Sequence, residues 1–211
     1  MNDTRYTRQL ELLKDEKLDT PITIIGCGAV GSFTLLALSK MGCRRLAVYD
    51  DDIVSEHNLP NQFFRERDVG QLKVKAMQEI VQQFHGLEIE AHDRRWQNAD
   101  SAKGIVISAV DGMDARQIIW RTVKNQFAVD LYIDSRMGAQ VALLYSCRPL
   151  DPDDIRDYEQ TLHPASEALR ERCTARSIMY TVLCLSGHIC RLVKRRLMNE
   201  TVERRQVFDF S

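Results

Sequence analysis

Three glycines, Gly26, Gly28 and Gly31, follow a short β-branched run and open a helical pattern. A strand, a glycine turn and a helix in that order place backbone amides and a helix N-terminus around a phosphate, because side chains there would block its close approach. One β-α-β unit further on, Asp50, Asp51 and Asp52 close the next strand. A strand-end carboxylate accepts from ribose hydroxyls, and Asp50 is the ribose candidate. Three in a row exceed what a ribose needs, so they also suit holding or steering magnesium. Asp51 reads equally well as a solvated surface group, and Asp52 lies between the two readings. The glycine loop alone does not separate a nicotinamide dehydrogenase, a flavoprotein and an adenylating enzyme.

The elements that must position these groups alternate along the chain. Pro21 to Ile25 and Arg45 to Tyr49 read as strands flanking a helix from Ser32 to Met41. Residues Ile53 to Gly70 carry Asn58, Pro60, Asn61 and Gly70 without a period, and read as a loop. Leu72, Ala76, Ile80 and Phe84 repeat at helical spacing; Leu87 to His92 and Gly104 to Val110 follow as strands. Asp114 to Phe127 reads as a helix and Ala128 to Ile133 as a strand. Gln140 to Tyr145 is expected to be antiparallel, since no crossover helix precedes it. The polar stretch Asp151 to Arg172 predicts no definite element. Ala175 to Met198 is the longest helix, with a stripe of Ile178, Val182, Leu185, Ile189 and Leu192. The class is α/β: a Rossmann-like, doubly wound, mostly parallel sheet with an antiparallel C-terminal extension. One domain over residues 1–211 is expected, with a helical arm at residues 1–18.

Bulk properties narrow the function. A net charge of −1 supplies no field that would draw the chain to nucleic acid or an anionic membrane, so both are disfavoured. Met1 to Lys17 is charged throughout and no stretch nears the ~20 apolar residues of a membrane span, which predicts a cytoplasmic protein. The cysteines (27, 43, 147, 173, 184 and 190) form no C-x-x-C pair, so no structural zinc is expected and the thiols are expected free.

Beyond the glycine loop the chain resembles the ThiF/MoeB/HesA activating-enzyme family. The resemblance is carried by Arg5-Tyr6-Thr7-Arg8-Gln9, Asp52-Ile53-Val54, Asn58-Leu59-Pro60-Asn61-Gln62, Asp68-Val69-Gly70-Gln71-Leu72-Lys73 and Ala109-Val110-Asp111, in the family's order, from residue 5 to about 145. It implies ATP and Mg2+, and adenylation of the C-terminal carboxylate of a ubiquitin-like or sulfur-carrier protein. Attack of a carboxylate on the α-phosphate brings two anions together, so cations and metal must neutralise the transition state. By resemblance Lys73 reaches the phosphates; its other reading is the exposed face of a helix start. Asp111 would position magnesium, or alternatively cap the next helix. Asn58 would contact phosphate or ribose, or alternatively be a left-handed turn residue. Asn61 and Gln62 join the nucleotide contacts. Arg8 corresponds to an arginine that enters a neighbouring subunit's site, which implies a homodimer; on its own it reads as an ordinary surface charge.

One position departs from the family. Asn61 stands where an arginine usually contacts the phosphates, so Arg65 or Arg67 substitutes, or turnover is weaker. Cys173 precedes the long helix beside Arg170, Arg172 and Arg176, and resembles the cysteine that forms a thioester in ubiquitin-type enzymes; those charges and the helix dipole would favour its thiolate. Cys147 is the runner-up nucleophile, Cys184 and Cys190 read as core, Cys27 as loop packing and His188 as structural. Arg136 is a candidate grip on the substrate tail. A conjugating-enzyme-like acceptor would take the cargo. The competing functions are a non-catalytic subunit of a heterodimer and a nicotinamide-binding oxidoreductase.

Overall fold

A computed structural model describes residues 4–124, 126–138, 140–163 and 178–210. Its centre is one seven-stranded sheet in the order β3-β2-β1-β4-β5-β6-β7. Strands β1 (Ile22–Ile25), β2 (Leu46–Tyr49), β3 (Glu90–His92), β4 (Gly104–Ser108) and β5 (Val129–Gly138) run parallel, while β6 (Val141–Cys147) and β7 (Arg205–Asp209) are antiparallel. The expected fold class is therefore the observed one.

Period-two alternation along the strands sorts side chains onto two cores. Ile24, Ile105, Ile107, Leu131, Ile133, Ala142 and Leu144 face α1 (Ala29–Lys40), α2 (Lys73–His85) and α5 (Met179–Leu197). Ile25, Val106, Tyr132, Tyr145 and Cys147 face α3 (Met113–Val123) and α4 (Pro152–Glu159), through Ile119, Trp120 and Tyr158. Helix α5 packs along α1, and the Ser186 hydroxyl donates to the Val30 carbonyl at 3.2 Å.

The chain runs from β1 to β2 and β3 on one side, then returns to lay β4 and β5 on the other. Strand order thus reverses between β1 and β4, and sheets of this kind bind ligands beyond the carboxyl ends at such a point. Ile25 lies in register with both Tyr49 and Ser108, so Gly26, Asp50 and Ala109 emerge side by side on one rim.

Several boundaries differ from the expectations. Phe84 is 56% exposed; a strict four-residue repeat drifts about 40° per step on a 3.6-residue helix, so the fourth member leaves the buried face. Helix α3 ends at Val123, short of Phe127, which is solvent-exposed. Ile178 is the extended N-cap of α5 and is exposed, and Cys184 also lies off the buried stripe, whereas Cys190 is in the core. Ala175 to Ser177 and Cys173 lie outside the described residues. The arm consists of 3-10 turns at Thr4–Gln9 and Asp15–Lys17. Helix α4 and strand β7 were not expected. Helix α4 has a sound local cause: the Asp151 side chain accepts from the Asp153 and Asp154 amides, and Pro152 occupies the first turn, where its missing N–H costs nothing.

Candidate functional site

The three glycines divide the work of the loop. Gly26 has φ +96°, and a Cβ there would lie 2.5 Å from the Ala109 carbonyl oxygen. A Cβ on Gly31 would lie 1.9 Å from the Gly26 oxygen, so only glycine lets α1 close on the turn. Among the described residues Gly28 has no neighbour within 4 Å of its Cβ position, which is open at the sheet rim. Two of the glycines serve packing; the third leaves room for a ligand beside the N-terminus of α1.

The acidic turn is likewise divided. Asp50 Oδ2 accepts from the Cys27 amide at 2.6 Å and Oδ1 from the Asp52 amide at 2.8 Å, so this carboxylate braces the glycine loop against β2. Burial pushes its carboxyl above the ordinary value, against those amides and Lys73, which favour the charged form. Asp51 pairs with Arg95 at 2.9 Å, a partner not foreseen from sequence. Asp52 pairs with Lys73: Nζ lies 2.7 Å from Oδ2, and the Lys73 amide donates to the Asp52 carbonyl at 2.9 Å. Lys73 is 6% exposed, which removes the reading of an exposed helix start, while Lys75 is exposed. Oxygens of the three aspartates lie within 4.8 Å of one another.

Across the crevice Asp111 follows β4 with its carboxylate exposed. The N-cap of α3 is Gly112 and no side chain caps it, so Asp111 does not serve as a cap. The loop between β2 and α2 is drawn to the first turn of α1 by Ser32, whose hydroxyl accepts from the Phe63 amide at 3.0 Å. Asn58 is buried in a 3-10 turn, and its Oδ1 accepts from the Ser55 amide at 2.9 Å; its backbone is not left-handed, the only such non-glycine among the described residues being Asn199. Its carbonyl accepts from Gln62 at 2.9 Å. Gln62 Oε1 is buried without a hydrogen-bond partner among the described residues. An open cradle at Gly28, an unsatisfied acceptor at Gln62, a buried lysine and an exposed strand-end carboxylate fit a magnesium-bound nucleoside triphosphate.

Other candidates fall elsewhere. Arg65 is bound by Asp68, Glu79 and Gln83, and Arg67 by Gln83, so both face α2 and neither replaces the cation missing at Asn61. Arg136 is occupied by Asp134 and Thr161 and lies over Tyr145, so it is not free to grip a substrate. Burial, then Asp154 and Asp151, push the Cys147 thiol up to about 12, which removes it as a nucleophile. Burial and Asp50 likewise push Cys27 up, in keeping with a packing role. His188 packs 4.2 Å from the Phe208 ring. Arg8 is exposed in a turn tied to the far end of α1 through Gln9, which donates to Met41. Twelve residues of α1 separate it from the glycine loop, roughly 18 Å at 1.5 Å per residue.

Comparison with known proteins agrees with this architecture. The family model described as "ThiF family" matches residues 6–204. The chain is 35% identical over 126 residues to the NEDD8-activating enzyme E1 catalytic subunit of Caenorhabditis elegans, covering 57% of this chain and 28% of that protein. It is 30% identical over 172 residues to ubiquitin-activating enzyme E1 1 of Arabidopsis thaliana (70% and 14%), and 26% identical over 132 residues to ubiquitin-like modifier-activating enzyme 5 of Gallus gallus (53% and 33%). The chain thus spans a third or less of the length of these relatives. Among solved structures, PaaA superposes with TM-score 0.77 at 17% identity, covering 98% of this chain and 70% of that one. Escherichia coli MccB with ATP gives 0.72 at 14%, covering 100% and 72%. At these identities the structural likeness establishes the fold alone. The sequence match extends from the N-terminal arm to the residue before β7, and the chain belongs to the ThiF family.

Proposed function

We propose that the chain is an ATP-dependent adenylyltransferase acting on the C-terminal carboxylate of a ubiquitin-like protein, a sulfur carrier or a peptide. One observation carries the reading most directly: the open position at Gly28 lies on a rim with a buried lysine on one side and an exposed carboxylate on the other. Family membership and the ATP-bound state of the MccB neighbour support it.

In the proposed reaction a carboxylate oxygen attacks the α-phosphorus, an acyl–O–P bond forms, the bond between the α-phosphorus and its bridging oxygen breaks, and pyrophosphate leaves. The amides of the glycine loop and the N-terminus of α1 bind the phosphates. Lys73 offsets charge on the phosphate oxygens, with Asp52 orienting its ammonium. Asp50 fixes the loop through the Cys27 amide and Gln62 offers an acceptor. Asp111 would hold magnesium, which supplies charge neutralisation to the triphosphate. Arg8 would enter the site of a second copy in a homodimer. Cys173 would then attack the acyl carbonyl to form a thioester with release of AMP, for transfer to a conjugating-enzyme-like acceptor.

The test is ATP–pyrophosphate exchange with ubiquitin-like proteins and short peptides ending in a free carboxylate. Lys73→Ala and Asp111→Ala should abolish exchange, and Cys173→Ala should spare it and remove only a thiol-sensitive adduct. Normal exchange by the first two variants would sink the assignment.

A second reading has its own support. Asn61 supplies no charge and Arg65 and Arg67 face α2. These features suit a subunit that binds nucleotide weakly and acts within a heterodimer. Exchange that appears only after adding a partner chain would decide for it.

A further inference from the structure

Asp134, in the middle of β5 and opposite Ser108 at the carboxyl end of β4, is fully buried and fully satisfied. Its Oδ1 accepts from Nε of Arg116 at 2.9 Å; its Oδ2 accepts from Nε of Arg136 at 2.7 Å and from the Tyr158 hydroxyl at 3.1 Å. A carboxylate in that setting is stable only with such partners. Arg116 stands on α3 and is itself buried, and its Nη2 donates to two main-chain carbonyls, Ser135 at 2.9 Å and Val110.

Val110 immediately precedes Asp111, so the guanidinium joins β5 to the loop that carries the candidate metal-holding carboxylate. Among the described residues little else secures that loop. The Ala109 amide donates to Ile25 at one end, while at the other α3 begins at Gly112 without a side-chain cap. A planar guanidinium presents donors to three separated acceptors in fixed directions, whereas the three donors of a lysine radiate from a single nitrogen on a flexible stem.

We propose that Arg116 is a positioning residue: held by Asp134, it clamps the Val110 carbonyl and thereby sets where Asp111 projects at the rim. The proposal deepens the nucleotide reading above and rests on it for the role of Asp111. The division of the carboxylate makes it testable, because shortening Arg116 leaves Asp134 paired to Arg136 and Tyr158.

The experiment measures binding of a non-hydrolysable ATP analogue across a magnesium titration, together with hydrogen exchange by peptide mapping. Arg116→Lys should leave magnesium-free binding unchanged and raise the magnesium concentration for half-maximal enhancement about tenfold, the low end of what residues supporting a metal ligand cost. Exchange at residues 109–112 should quicken, while that at 26–31 stays as in the wild type. Asp111→Asn should abolish the enhancement, and the double variant should be no worse than Asp111→Asn alone. Should Arg116→Lys fail to fold, Asp134→Asn, which keeps an acceptor and removes the charge, should shift both readouts in the same direction. Wild-type magnesium dependence with wild-type exchange in these variants, or additive losses in the double variant, overturns the proposal. A wild type that binds no nucleotide overturns the nucleotide reading and the proposal with it; one that binds without responding to magnesium overturns the role given to Asp111 and leaves the nucleotide site standing.

Discussion

The ammonium of Lys73 and the carboxylate of Asp52, 2.7 Å apart, sit in opposite environments: the lysine is buried and the aspartate is open to solvent. Removing one partner is therefore not equivalent to removing the other. Lys73→Met leaves an aspartate that water can solvate, and should cost under about 1 kcal/mol in urea unfolding. Asp52→Ala strands a buried ammonium and should cost more, on the order of 1–3 kcal/mol. Lys73→Met should nonetheless weaken ATP binding tenfold or more, which is about 1.4 kcal/mol. Equal destabilisation by the two variants would contradict the asymmetry.

The glycines make a second contrast. Gly28→Ala adds a methyl group to open space at a negative φ, and should change stability by less than about 0.5 kcal/mol while lowering nucleotide affinity. Gly31→Ala drives a methyl into the Gly26 carbonyl and should destabilise by about 1–3 kcal/mol. Parallel urea melts and nucleotide titrations separate the two effects.

Restoring the charge absent at position 61 offers a third test. The loop is pinned to α1 through Phe63 and Ser32, so a longer side chain at Asn61 starts from a fixed backbone. Asn61→Arg should raise ATP affinity about tenfold, and the gain should shrink as salt is raised from 50 to 500 mM. A neutral or negative effect on affinity would place Asn61 away from the phosphates.

Acid stability should depend on Asp154. Burial pushes its carboxyl up, but Arg148, through side chain and amide, and Arg204 outweigh it and hold it below the ordinary 3.8. Because the folded value is depressed, the stabilisation is complete above pH 3.8 and is lost as pH falls through the folded value. Asp154→Asn should therefore cost about 1–3 kcal/mol at neutral pH, with the gap closing in more acid solution. A gap that stays constant from pH 7 to pH 2.5 would refute it.

How far the sequence could be read depended on the range of the interactions. The glycine turn, the parallel strands and the turn to antiparallel pairing at β6 are local patterns, and they stand where expected. Lys73 and Asp111 were legible as residues at element ends, but the partners of Asp51, Arg65 and Arg136 were not, because each pairing is set by the tertiary fold. The pairing of Arg116 with Asp134 leaves only a faint trace in the sequence, a charge on the inner face of α3 and an aspartate within an apolar strand, because nothing local says that residues 18 positions apart will meet. Strand β7 has a weak alternation and gains its place from the edge of β6 and from Phe208, which packs against His188 of α5. Cys173 lies outside the described residues, so its role rests on resemblance.

The contact between Ser186 and Val30 joins segments 156 residues apart. The helix that opens at the glycine turn gets its outer packing from α5, so a growing chain would emerge with its nucleotide cradle unsupported until most of the sequence had been made. High contact order slows folding. Truncation before α5 should accordingly yield a chain that aggregates or is degraded, and slow refolding should be traceable to the docking of the last helix.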